Sequence, residues 1–195
     1  MLEATGRCDV DRKSPRYAQP GLSLIELVAA LAVLAVLLAA AVPRLQLLLH
    51  NGITRTETAR LLSALQLARG EAVRRNRPVS LCPSPAAAGG EPACAGSYSG
   101  GWMVFANPGR DGRFDEATDE LIRLYHALPR RYRLTNRGGD REAAELITYL
   151  PDGSARRALT LMLCSPLWPR VSSSSVVLNR VGRPRIAMDW GACAP

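Results

Sequence analysis

Three sets of residues in this 195-residue sequence have types and spacing that chemistry can use. The first is a lone carboxylate, Glu26, inside a run of 21 residues, 22–42, whose only other polar member is Ser23. A charge in such a run costs a few kcal/mol even on insertion-based scales, and intramembrane acids usually serve a partner charge. The second is the stretch Arg180-Val181-Gly182-Arg183-Pro184-Arg185. Guanidinium groups match phosphate oxygens through paired hydrogen bonds. Gly182 permits a turn, and Pro184 holds the segment extended. If the stretch is extended, Arg183 and Arg185 point to one side about 6.6 Å apart, twice the strand rise, which suits a nucleic-acid backbone. Solvent-facing arginines on a terminal hairpin are the plainer alternative.

The third set is the cysteines. Cys8 lies in the first 21 residues, and Cys82, Cys94, Cys164 and Cys193 come later. An even number in an exported domain points to two disulfides. Of three connectivities, the pairs nearest in sequence are favoured, Cys82–Cys94 and Cys164–Cys193, each closing a loop worth about 3 kcal/mol in the chain-entropy model. A metal site is the weaker alternative, because no two cysteines stand at the short spacing of zinc ligands and His50 and His126 stand alone. Asn107, Asp111, Asp115 and Asp119 offer oxygen ligands of the kind calcium prefers, but at spacing wrong for an EF-hand; a solvated turn between strands is the reading preferred. No cofactor is expected. A membrane-tethered hydrolase finds no support: there is no nucleophile motif, and His126 has no acidic partner at readable spacing.

The elements that must position these groups are read from periodicity. At about 1.5 Å per residue, residues 22–42 span roughly 30 Å as a helix, the thickness of a bilayer core. The basic residues Arg7, Arg12, Lys13 and Arg16 before the run hold the N-terminus on the cytoplasmic side and send the remainder outward. A cleavable secretory signal has the same outline, but its apolar region is only about 7–15 residues long. Pro43 bends the helix without ending it. Beyond it Leu45, Leu48, Leu49, Ile53, Leu61, Leu62, Leu65, Ala68, Ala72 and Val73 recur at spacings near three and four, the mark of an amphipathic helix. A break is allowed at Asn51-Gly52, and Arg77-Pro78 is the expected end.

After Pro78 come short apolar runs separated by Gly, Pro, Asn and Asp. Strands are expected at 79–82, 101–106, 120–126, 131–135, 146–150, 155–164, 176–180 and 184–188, with loops at 83–100 and 137–141. Asp152-Gly153 marks a hairpin turn, and Trp102, Val104 and Phe105 read as core anchors. A helix leading into antiparallel sheet is an α+β domain.

Removing the four basic and three acidic residues of 1–21 leaves 21 basic against 14 acidic, a charge of +7, and all 21 are arginine. Compositional bias explains part of that. From Pro151 onward, however, six arginines face two aspartates, and a basic surface attracts polyanions.

Gly21-Leu22-Ser23-Leu24-Ile25-Glu26 resembles the prepilin signature: a glycine, an apolar residue, Ser or Thr, two apolar residues and Glu. Leu22 departs from the phenylalanine most pilins carry. The resemblance implies that prepilin peptidase cuts after Gly21 and methylates Leu22, and that Glu26 neutralises a terminal ammonium of a neighbouring subunit in a filament. Cys82, Cys94, Gly101-Trp102-Met103-Val104-Phe105, the Asp- and Gly-rich 107–119 and Leu121-Ile122-Arg123 are similar to the GspH/FimT minor pilins and pseudopilins. That likeness implies a type IV pilin-like fold, with a cleaved leader at 1–21, an N-terminal helix at 22–77 of which 22–42 is the transmembrane or filament-core part, and a periplasmic β-rich domain at 78–195. It implies inner-membrane insertion, then a filament, with other pilin or pseudopilin subunits, the prepilin peptidase and an inner-membrane assembly platform as partners. Arg180, Gly182, Arg183 and Arg185 resemble the Gly-Arg-any-Arg motif of FimT-type minor pilins that bind double-stranded DNA in natural transformation. A type II secretion pseudopilin handling exported proteins is the rival reading.

Overall fold

In the computed structural model, which describes residues 23–167, 169–191 and 193, the chain forms one long helix and eight short strands. It divides at Val42/Pro43 into two units. Gly21 and Leu22 lie outside the described residues, as does the leader expected before them.

Helix α1 spans Leu24–Arg75 and passes through Pro43. Up to Leu49 its large apolar side chains are exposed apart from the partly buried Leu47, with Leu24 at 81% and Leu48 at 69%. By length and composition it can cross a membrane. The break allowed at Asn51-Gly52 does not occur. A mid-helix glycine costs about 1 kcal/mol relative to alanine, but bonds on both sides hold this turn. His50 Nδ1 meets the Tyr132 hydroxyl at 2.6 Å, and the Thr54 hydroxyl donates to the His50 carbonyl at 2.9 Å. The helix ends two residues before the expected point. Asn76 takes a left-handed conformation (φ 52°), its N–H donates to Val73 O, and the Arg77 N–H donates to Ala72 O. This is a Schellman cap with Asn in glycine's usual place, closed by the adjoining Pro78.

The strands are β1 (Val79–Pro83), β2 (Trp102–Ala106), β3 (Glu120–Tyr125), β4 (Arg133–Thr135), β5 (Ile147–Tyr149), β6 (Leu159–Cys164), β7 (Ser174–Leu178) and β8 (Pro184–Met188). They form two antiparallel four-stranded sheets, ordered β3-β2-β1-β5 and β4-β6-β7-β8. The expected strand at 155–164 begins only at Leu159, because its first residues cross between the sheets. Ala155 bridges Tyr149 of the first sheet while its N–H donates to Arg180 O of the β7–β8 turn. The Asp152-Gly153 turn forms, yet it joins two sheets rather than two strands of one. Tyr98–Gly100, within the expected loop 83–100, is a 3-10 turn. Its buried Tyr98 hydroxyl reaches Leu81 O (3.0 Å) and Glu145 O (2.9 Å).

The core lies where Leu61, Ala64, Leu65, Ala68 and Ala72 of α1 meet the inner faces of both sheets, including Leu81, Trp102, Val104, Tyr149, Leu163 and Val176. Alanines four residues apart let the sheets come close to the helix axis. β1 and β2 are buried on both faces. Behind them Cys82, Met103 and Phe105 form a second cluster with Phe114, Leu124 and Leu146. The two disulfides, Cys82–Cys94 and Cys164–Cys193, are present as paired from the sequence. Cys94 packs against the second cluster, and Cys193 sits with Met162 and Cys164 in a third.

Candidate functional site

Ser23 opens α1. Its carbonyl accepts the N–H groups of Glu26 and Leu27 at 3.1 Å, and its Oγ accepts the Glu26 N–H at 3.3 Å. Ser23 and Glu26 therefore occupy the N-cap and N3 positions of a capping-box sequence. In hydrocarbon an unsatisfied N–H costs several kcal/mol, so a serine that satisfies one has structural value of its own. The Glu26 carboxylate stands exposed in the first turn, where the helix dipole favours negative charge.

The arginine stretch occupies the β7–β8 hairpin. Gly182 N–H donates to Asn179 O, and the Arg183 N–H donates to Asn179 Oδ1 at 2.9 Å. Gly182 is obligatory for two reasons: its φ is +78°, and a Cβ there would collide with the Gly153 carbonyl oxygen. The 179–183 and 150–154 turns thus abut, with Ala155 N–H bonded to Arg180 O and Arg69 Nε of α1 donating to Gly153 O at 3.1 Å. The result is a braced turn.

Arg183 and Arg185 enter different surroundings. Arg183 precedes β8 and, with Pro184, lines a groove of about 650 Å³ whose other wall is Gln66, Arg69, Gly70, Val73 and Arg74 of α1. Arg185 lies in β8 opposite Val177, with its guanidinium 6.0 Å from the Trp190 ring centroid. Neither has a carboxylate partner among the described residues. Arg74 and Arg75 differ, because both bond Glu71 at 2.6 Å and Arg75 also pairs with Glu120. The bonds from Arg74 and then Arg75 pull the Glu71 carboxyl down to about 2.

In the Asp-rich loop, Asp115 and Asp119 accept hydrogen bonds from the chain itself, while the buried Asn107 Oδ1 has no hydrogen-bond partner among the described residues. Asp119 takes the Asp115 N–H, Asp115 takes the Ala117 N–H, and Asn107 donates to Asp111 O and to Ser80. Burial raises the Asp119 carboxyl. No group of three metal-ligating side chains gathers among the described residues.

Sequence reasoning missed Arg69, Arg137 and Trp190 at this end of the domain. Arg69 belonged to a helix face read only for amphipathicity. Arg137 and Trp190 stand 53 residues apart (190 minus 137), so only the fold brings them together.

The family model described as Type II transport protein GspH matches residues 57–182, and the prokaryotic N-terminal methylation motif matches residues 16–42. The type IV minor pilin FimU of Pseudomonas aeruginosa superposes with a TM-score of 0.50 at 18% identity, over 68% of this chain and 87% of FimU. A second crystal form of FimU gives 0.44 at 15% identity, over 68% and 91%. Comparison with curated proteins gives no match. The fold is that of a type IV minor pilin, and the chain belongs to the GspH family of pilin-like minor pilins and pseudopilins.

Proposed function

We propose that this chain is a minor pilin of a type IV pilus, cut after Gly21, N-methylated at Leu22 and assembled through α1. Residues 1–21 are then the leader, 22–77 the helix and 78–195 the periplasmic domain, reached by a single pass of the inner membrane. Prepilin peptidase and the inner-membrane assembly platform act on it. Glu26 meets the terminal ammonium of a neighbour, since removing an ion pair's partner in an apolar setting leaves a costly uncompensated charge. The exposed apolar half of α1 supports this reading, because neighbouring helices and lipid are what such a surface suits.

We further propose that the domain contacts duplex DNA through Arg180, Gly182, Arg183 and Arg185. The observation that carries it is the braced turn, which holds Arg183 beside a groove also lined by Arg69 and Arg185 beside the Trp190 ring, neither with a carboxylate partner among the described residues. Gly182 acts by shaping the turn. The family model's description favours a second reading, a type II secretion pseudopilin that handles exported proteins. Titrating the full-length chain in detergent micelles with labelled duplex DNA at several salt concentrations separates the two. The pilus reading predicts binding that weakens in Arg183→Gln/Arg185→Gln; equal binding by that double variant removes the role of these arginines.

A further inference from the structure

The C-terminal tail builds a second cationic feature beside Arg185. Asp189, at φ 51°, turns the chain out of β8, and its N–H donates to Ser173 O at 3.0 Å. The Ser175 hydroxyl donates to Trp190 O at 3.0 Å. Gly191 comes next at φ +120°, where a Cβ would stand 2.5 Å from the Arg137 carbonyl oxygen, so only glycine lets the tail lie this close to the 136–141 loop. Cys193 then fastens the tail to β6 through Cys164.

These constraints place the half-exposed Trp190 indole next to Arg137, whose guanidinium carbon lies 4.6 Å from the ring centroid. Arg185 lies 6.0 Å from the same centroid. The two guanidiniums are thus at most 10.6 Å apart, the sum of 4.6 and 6.0 Å. Both side chains belong to exposed residues, and neither has a carboxylate partner among the described residues. An indole face attracts a guanidinium without neutralising it, so the charge stays available to a ligand. Duplex DNA carries one negative charge per roughly 1.7 Å of axis, dense enough for two cations this close to engage neighbouring phosphates.

We propose that Arg137 is a further DNA-phosphate contact, with Trp190 as the residue that positions it next to Arg185. The proposal rests on the DNA-contact reading of the β7–β8 hairpin. It extends that contact from one hairpin to three chain segments, 136–141, the hairpin and the tail.

The test is fluorescence anisotropy with labelled duplex DNA and the full-length chain in detergent micelles, from about 50 to about 200 mM salt. Arg137→Gln should weaken binding several-fold and reduce the slope of log affinity against log salt by about one, the signature of one lost phosphate contact. Arg137→Lys should restore the slope. Trp190→Ala should weaken binding in the wild-type background and add little to Arg137→Gln, while Trp190→Phe, which keeps a ring, should bind nearly as wild type. Wild-type affinity and slope in Arg137→Gln, alongside weakened binding in Arg183→Gln/Arg185→Gln, overturns this proposal alone. Full additivity of Trp190→Ala and Arg137→Gln overturns the positioning role. Wild-type binding by Arg183→Gln/Arg185→Gln overturns the hairpin contact on which this proposal rests, and no binding by the wild type overturns the DNA reading altogether.

Discussion

The two halves of α1 solve opposite problems with similar residues. Leu61 and Leu65 are almost fully buried against the sheets, while Leu34 and Leu37 stand 50% and 61% exposed. In the first case the fold itself supplies the apolar surroundings. In the second, membrane or neighbouring subunits must supply them, so the same residue type reports on stability in one half and on association in the other.

The largest contrast is expected from truncation. Trp102→Ala should cost the domain about 4 kcal/mol, and Leu65→Ala about 3, from lost burial and the cavity left behind. Leu34→Ala should leave the thermal unfolding of the domain unchanged. A comparable loss at Leu34 would mean that the exposed half of α1 contributes to folding after all.

Next come the disulfides. Cys164→Ser/Cys193→Ser should lower stability by about 3 kcal/mol in denaturant titration. It should also weaken DNA binding, because the tail carrying Trp190 loses its tether. Loss of stability with DNA binding untouched would separate the tail from the arginine surface.

A smaller effect distinguishes the arginines with carboxylate partners from those without. Glu71 is held at about 2, below its ordinary 4.5, by Arg74 and Arg75. A depressed carboxyl stabilises the fold above its unfolded value and loses that contribution as pH falls from about 4.5 towards about 2. Solvent screening keeps the contribution small. Glu71→Gln should therefore flatten acid unfolding slightly in that window. An unchanged acid transition would show that the network adds nothing measurable.

Much of the fold was legible because its signals are local. The 22–42 run and the eight apolar strand segments each lie within a few residues of what defines them, and the cysteines pair with their nearest neighbours in sequence, 12 and 29 residues apart. The helix end was misplaced by two residues because the Asn76 cap depends on a left-handed conformation that glycine more often supplies. The division into two sheets was not legible, since it turns on Ala155 bonding across to Arg180, a contact between distant segments. At the candidate DNA surface, Arg183 and Arg185 were visible as a spacing. Their divergence towards Arg69 and Trp190 is a product of the braced turn and the fastened tail.

If Glu26 makes the exposed half of α1 an assembly element, filament incorporation should depend on its charge. In cells producing the filament, sheared filaments and membranes would be compared for wild type and Glu26→Gln, with intact mass reporting loss of residues 1–21 and gain of one methyl group. Wild type should enter the sheared fraction, whereas Glu26→Gln should be cut and methylated, fold normally and stay in the membrane. Equal incorporation of Glu26→Gln would rule out that role.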